Sequence, residues 1–208
     1  MISITIIIIA ITAIVSVIAF SNRAIMDKLL LSPYQIIHNK EFFRIITHAL
    51  VHADYIHLAV NMIVLLSFGI AVENTFKELM HAGIVTNVTF HFLVLYIGGA
   101  VISTLSTIKK HKNDYYYQGV GASGAVSAIV FASIFFQPLS KLLIMGIIPI
   151  PAILFGVVYL AYSHYMSKKG NDNINHDAHF VGAVFGFIYP ILVQPSLIKV
   201  FLHQLGLL

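Results

Sequence analysis

From residue 2 to residue 20 the chain is an almost unbroken run of β-branched and aliphatic side chains. At about 1.5 Å per helical residue such a run crosses a hydrocarbon core of about 30 Å. Similar runs recur to the far end of the sequence, and they decide what the chain can become. Hydrophobic residues make up 59% of it and charged ones 10%, against about 25% charge in an ordinary soluble domain. The expected fold is therefore all-α, a polytopic membrane protein with six transmembrane helices in one domain over residues 1–208. Spans are expected at about 2–20, 56–75, 79–108, 121–137, 142–166 and 177–202. A signal peptide competes for the first run, but no Lys or Arg precedes it and it is long for a signal h-region.

The connections carry further expectations. Residues 21–55 form a long link whose Phe42-Phe43-Arg44-Ile45-Ile46-Thr47 stretch suits the membrane interface. Phe76-Lys77-Glu78 reads as the short link between the second and third spans, and Gly98-Gly99 as a close helix contact. Pro149 and Pro151 predict a kinked or mobile fifth helix, whereas Pro190 is tolerated inside the sixth. Residues 167–176 form a polar loop. The twelve Lys and Arg are scattered singly instead of forming a stripe, which argues for membrane-surface charge and against nucleic acid. With no cysteine, covalent chemistry requires an oxygen or nitrogen nucleophile. No internal repeat points to a transporter built from inverted halves.

Loops of like parity lie on one side of a membrane, so the starts of the second, fourth and sixth spans share a face. His52, His57, Asn61, Ser123 and His179 all fall there. Taken singly, Ser123 reads as a packing serine, Asn61 as interhelical glue and the histidines as interfacial or structural residues. Jointly they read as chemistry, because ionisable groups in membrane helices are expensive and face a wet cavity or one another. Gly124, Ala128 and Ala132 form a small-residue stripe on the fourth span, and Ala178, Gly182 and Gly186 form one on the sixth. Packing these stripes together would bring Ser123 towards His179. Imidazole is the base a serine needs near neutral pH. The Asn61 amide, the His57 ring and the Ser123 backbone N–H are the natural oxyanion donors. Asp54 is expected to begin the second helix. Glu73, roughly 24 Å further along that helix, is expected to cap or brace its opposite end. Gly119-Val-Gly121-Ala-Ser-Gly124 also fits a dinucleotide-binding spacing, which without a βαβ unit is chance.

In these residues the chain resembles the rhomboid family of intramembrane serine proteases. Phe43-Arg44 resembles that family's Trp-Arg motif with Phe for Trp, and His52, His57 and Asn61 its His and His-x-x-x-Asn pattern. Gly121-Ala122-Ser123-Gly124 resembles its Gly-x-Ser-Gly, and Ala178-His179 through Gly182 and Gly186 its Ala-His-x-x-Gly-x-x-x-Gly. The resemblance implies a Ser123–His179 dyad, an oxyanion site using His57 and Asn61, and no metal or other cofactor. It also implies that the partners are the lipid bilayer and single-span membrane proteins cut in or near their membrane segment, admitted laterally near the second and fifth spans. It leaves the oligomeric state open. The alternatives are an inactive relative that only binds membrane segments, or a metal or proton transporter lined by His52, His57 and His179.

Two features depart from the pattern. Ser127 stands one turn below Ser123, where the family often has an aromatic that packs on the catalytic imidazole. Loop charge, with Arg23, Lys28, Lys40, Arg44, Lys109, Lys110, Lys112, Lys168 and Lys169 against Lys77, Lys141 and Lys199, would turn the site to the cytoplasm by the positive-inside rule. The resemblance instead implies a bacterial inner membrane with the site facing outward.

Overall fold

A computed structural model describes residues 3–144, 147–170 and 174–208. Ile2 of the first expected span, residues 145 and 146 of the fifth and residues 171–173 of the polar loop lie outside the described residues. The chain is mostly helical: α1 (Ile4–Ser21), α2 (Arg23–Leu29), α3 (Pro33–His38), α4 (Arg44–Thr47), a 3₁₀ turn (His48–Leu50), α5 (Tyr55–His81), α6 (Val88–His111) and α7 (Ser123–Phe136). There follow a hairpin of β1 (Lys141–Ile144) and β2 (Ile148–Pro151), then α8 (Ala152–Lys169), α9 (His176–Val193) and α10 (Leu197–Gln204).

Among the described residues, α1, α5, α6 and α9 are long and apolar enough to cross a membrane. Of the other two expected spans, α7 has 14 residues and rises only about 20 Å, and α8 ends in a polar Ser-His-Tyr-Met-Ser-Lys-Lys turn. The outward face of the bundle is apolar, unlike that of a soluble one. Helix α1 buries Thr5, Thr12 and Ser16 and turns Ile6, Ile7, Ile11, Ile14, Val17 and Ile18 outward, as lipid requires. This is an integral membrane protein.

Helix α7 is the axis. It buries eleven of its fourteen residues, as expected of a helix apolar all round, and packs against α9, α6 and α5. The small-residue stripes meet as the spacing predicts. A Cβ on Gly182 would lie 2.3 Å from the Gly124 carbonyl oxygen, and one on Gly186 2.0 Å from that of Ala128. Gly99 makes the same approach from α6, where a Cβ would be 2.6 Å from the Cβ of Ala128.

Several expected boundaries move. Phe76-Lys77-Glu78 is not a link: α5 continues to His81, with Phe76 fully buried, and the turn falls at residues 82–87 around Gly83 at φ +72°. The charged pair marks only the exposed side of a continuing helix. The fifth span is not a kinked helix from 142. Its first part is the antiparallel hairpin, in which Lys141 pairs with Pro151 and Leu143 with Pro149, and the prolines end where α8 begins. Proline is costly in a helix interior, where it removes a hydrogen bond, but tolerated on an edge strand. The sixth span ends at Val193, with Pro190 inside the helix, and the residues beyond form the separate α10. Leu197 and Phe201 of α10 pack beneath Phe135.

Other expectations hold. Glu73 accepts hydrogen bonds from Ser3 Oγ at 2.6 Å, the Thr5 amide at 3.3 Å and Thr5 Oγ1 at 3.1 Å, so it closes the N-terminus of α1. Along residues 21–55, Phe42, Phe43 and Ile46 are exposed while Arg44 is buried. The Arg44 guanidinium donates to the Asp27 carbonyl at 2.7 Å, the Leu30 carbonyl at 2.9 Å and the Glu41 carboxylate at 2.5 Å. One cation thus fastens this segment to itself while its apolar side chains face out.

Candidate active site

Three helix N-termini converge at one end of the bundle. Asp54 caps α5, its carboxylate accepting from the His57 amide at 2.7 Å. Asn175 caps α9 by accepting from the Ala178 amide at 3.0 Å. Its own amide group donates to Thr107 Oγ1 at 2.7 Å and Tyr117 Oη at 3.2 Å. The first turn of α9, which carries His179, is thereby tied to α6 and to the loop before α7. Ser123 is the first residue of α7, so its backbone N–H lies outside the helix's own hydrogen-bond ladder.

The loop leading to Ser123 is clamped at successive residues. Gly119 and Leu31 exchange backbone hydrogen bonds at 2.8 and 3.0 Å, and the Gly121 amide donates to the His48 carbonyl at 3.0 Å. The Ala122 amide donates to His52 Nε2 at 3.4 Å. Gly121 has φ +113°, and a Cβ there would stand 2.7 Å from Cε1 of His57, so both its backbone and its surroundings require glycine.

His57, Asn61, Ser123 and His179 line a single cleft of about 1250 Å³. Its walls include Val60, Val64 and Phe68 of α5 and Phe155, Tyr159 and Met166 of α8. Asn61 is buried, and its side-chain amide donates to the His57 carbonyl at 3.0 Å, which leaves its second amide hydrogen for another acceptor. His57 sits edge-on to His52, ring centroids 5.0 Å apart. Gly124, Gly182 and Gly186 lie behind this surface as the close-packed seams.

His52 does not line the cleft. It is fully buried, and both its nitrogens are engaged. Ser16 Oγ donates to the Leu50 carbonyl at 2.9 Å and therefore accepts from His52 Nδ1 at 3.0 Å. With the proton on Nδ1, Nε2 is the acceptor for the Ala122 amide. Burial, with repulsion from His57 and His48 against a smaller pull from Asp54, lowers the His52 pKa from 6.5 to about 3. Burial lowers that of His48 to about 4. Both rings stay neutral in the folded protein at pH values where the unfolded chain takes up protons. Their contribution is complete above pH 6.5 and is lost as pH falls towards 3. Unfolding temperature in detergent is expected to drop between pH 7 and about 4.5. The drop should be shallower in His52→Gln, whose amide oxygen can still accept the Ala122 N–H. Equal slopes would remove His52 as a source of the acid sensitivity.

Sequence reasoning missed two residues here. His48 joins the Arg44 carbonyl through Nδ1 at 3.1 Å and holds Gly121 through its own carbonyl. Its position four residues before His52 on the same segment was the available signal. Tyr159 of α8 stacks on His179, ring centroids 6.5 Å apart and planes 14° apart. Its hydroxyl is 3.1 Å from Ser127 Oγ. No sequence motif marks it.

A bundle of long apolar helices with serine, histidine and asparagine on one cleft defines an integral membrane protein with a polar cleft at one end. A family model described as Rhomboid domain matches residues 39–196, a stretch that contains every one of these cleft residues, and the chain belongs to the rhomboid family. It is 32% identical over 149 residues to RHOMBOID-like protein 12, mitochondrial, of Arabidopsis thaliana, covering 69% of this chain and 44% of that one. It is 30% identical over 154 residues to YdcA of Bacillus subtilis (strain 168), named as a candidate rhomboid protease, covering 74% and 68%. It is also 30% identical over 144 residues to Presenilin-associated rhomboid-like protein A, mitochondrial, of Danio rerio, covering 66% and 34%. The match spans less than half the length of the two mitochondrial relatives.

Proposed function

We propose that this chain is an intramembrane serine endopeptidase that cuts single-span membrane proteins in or near their membrane segment. In this reading α7 and α8 complete six spans. The observation that supports it most is the shared cleft, which places a serine, a histidine and two amide or imidazole donors at the same end of three helices. His179 takes the proton of Ser123 Oγ as the oxygen attacks the scissile carbonyl, and returns it to the leaving amine. The Ser123 backbone N–H, the Asn61 amide and the His57 ring receive the oxyanion, aided by the positive end of α7. Water, activated by the same histidine, then attacks the acyl-enzyme and releases the second product with Ser123 reprotonated. The α5 and α8 walls of the cleft form the side through which a membrane segment arrives.

The transporter alternative loses support at His52, whose nitrogens serve Ser16 and Ala122. For orientation we place the protein in a bacterial inner membrane with the site facing outward. The buried, Glu41-paired Arg44 is a poor reporter of which loops stay inside.

Labelling of detergent-purified protein with a fluorophosphonate tests the proposal. Wild type is expected to label and Ser123→Ala to show none. Labelling that survives in Ser123→Ala, or a wild type that neither labels nor cleaves, would overturn the assignment.

A further inference from the structure

We infer that Tyr159 is the positioning residue for the His179 imidazole, and that Ser127 holds Tyr159 in place from one turn below Ser123. The inference rests on the proposed Ser123–His179 dyad. A general base works only when its ring is held in the orientation that receives the proton, and displacement by about 1 Å can cost on the order of 10²-fold. Among the described residues, the near-parallel aromatic ring against His179 is that of Tyr159, with centroids 6.5 Å apart and an interplanar angle of 14°. These values fall in the range of offset stacking. The ring of Tyr162 instead meets His176 edge-on, centroids 5.6 Å apart.

The anchoring is specific. Tyr159 Oη and Ser127 Oγ are 3.1 Å apart, and Ser127 is buried on the axial helix. A large side chain at residue 127 would occupy the space that Tyr159 fills, so serine at 127 and tyrosine at 159 form one device. Its ring comes from α8 and its anchor from α7. Phe155 and Phe131 pack on the other sides of the same ring, with centroids 5.7 Å away in both cases.

The arrangement has a mechanistic consequence. Helix α8 forms one wall of the cleft, so a substrate segment that moves α8 also moves the group that orients the base. Cleft opening and dyad alignment are coupled through one side chain. If Tyr159 only narrowed the cleft, truncating it would ease access and leave the dyad intact. The two roles predict opposite signs.

The test uses Tyr159→Leu, Tyr159→Phe and Ser127→Val in the full chain. The first readout is the rate at which a small fluorophosphonate labels Ser123, which needs no membrane segment to pass α8. The second is the split of kcat and KM on a single-span substrate. Tyr159→Leu is expected to slow labelling and kcat by about 10- to 100-fold. Tyr159→Phe keeps the ring but, like Ser127→Val, removes the contact between Tyr159 Oη and Ser127 Oγ, so these two variants should lose similar amounts of activity, each less than Tyr159→Leu. Tyr159→Met, read in the same way, stands in should the leucine variant not purify. Labelling of Tyr159→Leu at the wild-type rate, or an effect confined to KM, overturns the positioning role while leaving the dyad standing. Equal loss in Tyr159→Phe and Tyr159→Leu overturns the ring as the positioning element. A wild type that does not label Ser123 refutes the dyad itself, which is a separate result.

Discussion

His179→Ala is expected to abolish cleavage of a single-span substrate in proteoliposomes, a loss of at least about 10³-fold, while the protein remains folded. Of the four histidines that line the cleft, His57, His111, His176 and His179, the first and last stand on the helices that carry Asn61 and the seam with α7, and their surroundings separate them. His57 lies on α5 against Gly121, its carbonyl accepting from Asn61 and its ring edge-on to His52. That setting suits the oxyanion donor proposed for it. His179 is half-buried on α9, in the turn capped by Asn175, with the Tyr159 ring against it. A nucleophile and its base act as one unit, so Ser123→Ala/His179→Ala should lose no more activity than Ser123→Ala alone. Folding should survive, because the seam between α7 and α9 is built from glycine and alanine backbone and not from the imidazole. Unfolding temperatures within about 2 °C of wild type would show this. Activity of His179→Ala within tenfold of wild type, or additive losses in the double variant, would transfer the base to another group.

The sequence made the site more legible than the fold around it, for physical reasons. Ser123, His57 and His179 sit in the first turns of their helices, and such starts follow polar loops that interrupt hydropathy. The glycine spacing on α9 likewise encodes its contact directly, since only small residues permit such an approach. The hairpin at residues 141–151 was illegible because an apolar run alone does not distinguish a strand from a membrane helix. Pro149 and Pro151 were the signal, and a kinked helix was the wrong reading of them. The end of α5 was misplaced because Lys77 and Glu78 are polar on one helical face only, whereas Gly83 marks the real turn. The Tyr159–His179 contact joins residues of two helices, and nothing in either segment encodes the meeting. The serine at 127 recorded only that something else must fill the place.

Gly186→Ala is expected to be the most destabilising single-methyl change in the bundle. The added Cβ would meet the Ala128 carbonyl oxygen at 2.0 Å, its Cα at 2.5 Å and its carbonyl carbon at 2.6 Å. All three are backbone atoms of the axial helix, so no rotamer change relieves the contact, and α7 is held on its other sides by α5 and α6. Gly156→Ala is the matched control. Its Cβ would meet Ile134 Cδ1 at 3.3 Å and Phe131 Cε1 at 3.4 Å, side-chain atoms that can give by a few tenths of an ångström. Overpacking costs about 1–3 kcal/mol and sometimes more. Gly156→Ala should fall at or below the lower bound, and Gly186→Ala at or beyond the upper one, with loss of folded protein on solubilisation. Gly182→Ala separates packing from chemistry. Its Cβ would lie 2.3 Å from the carbonyl oxygen of Gly124, the residue after Ser123, and Gly182 is three residues from His179. The separation it forces would part the proposed dyad, so activity should fall by about 10²-fold or more under conditions where folded protein is still recovered. Equal unfolding temperatures for Gly186→Ala and Gly156→Ala would mean that the seam is looser than the 2.0 Å approach requires.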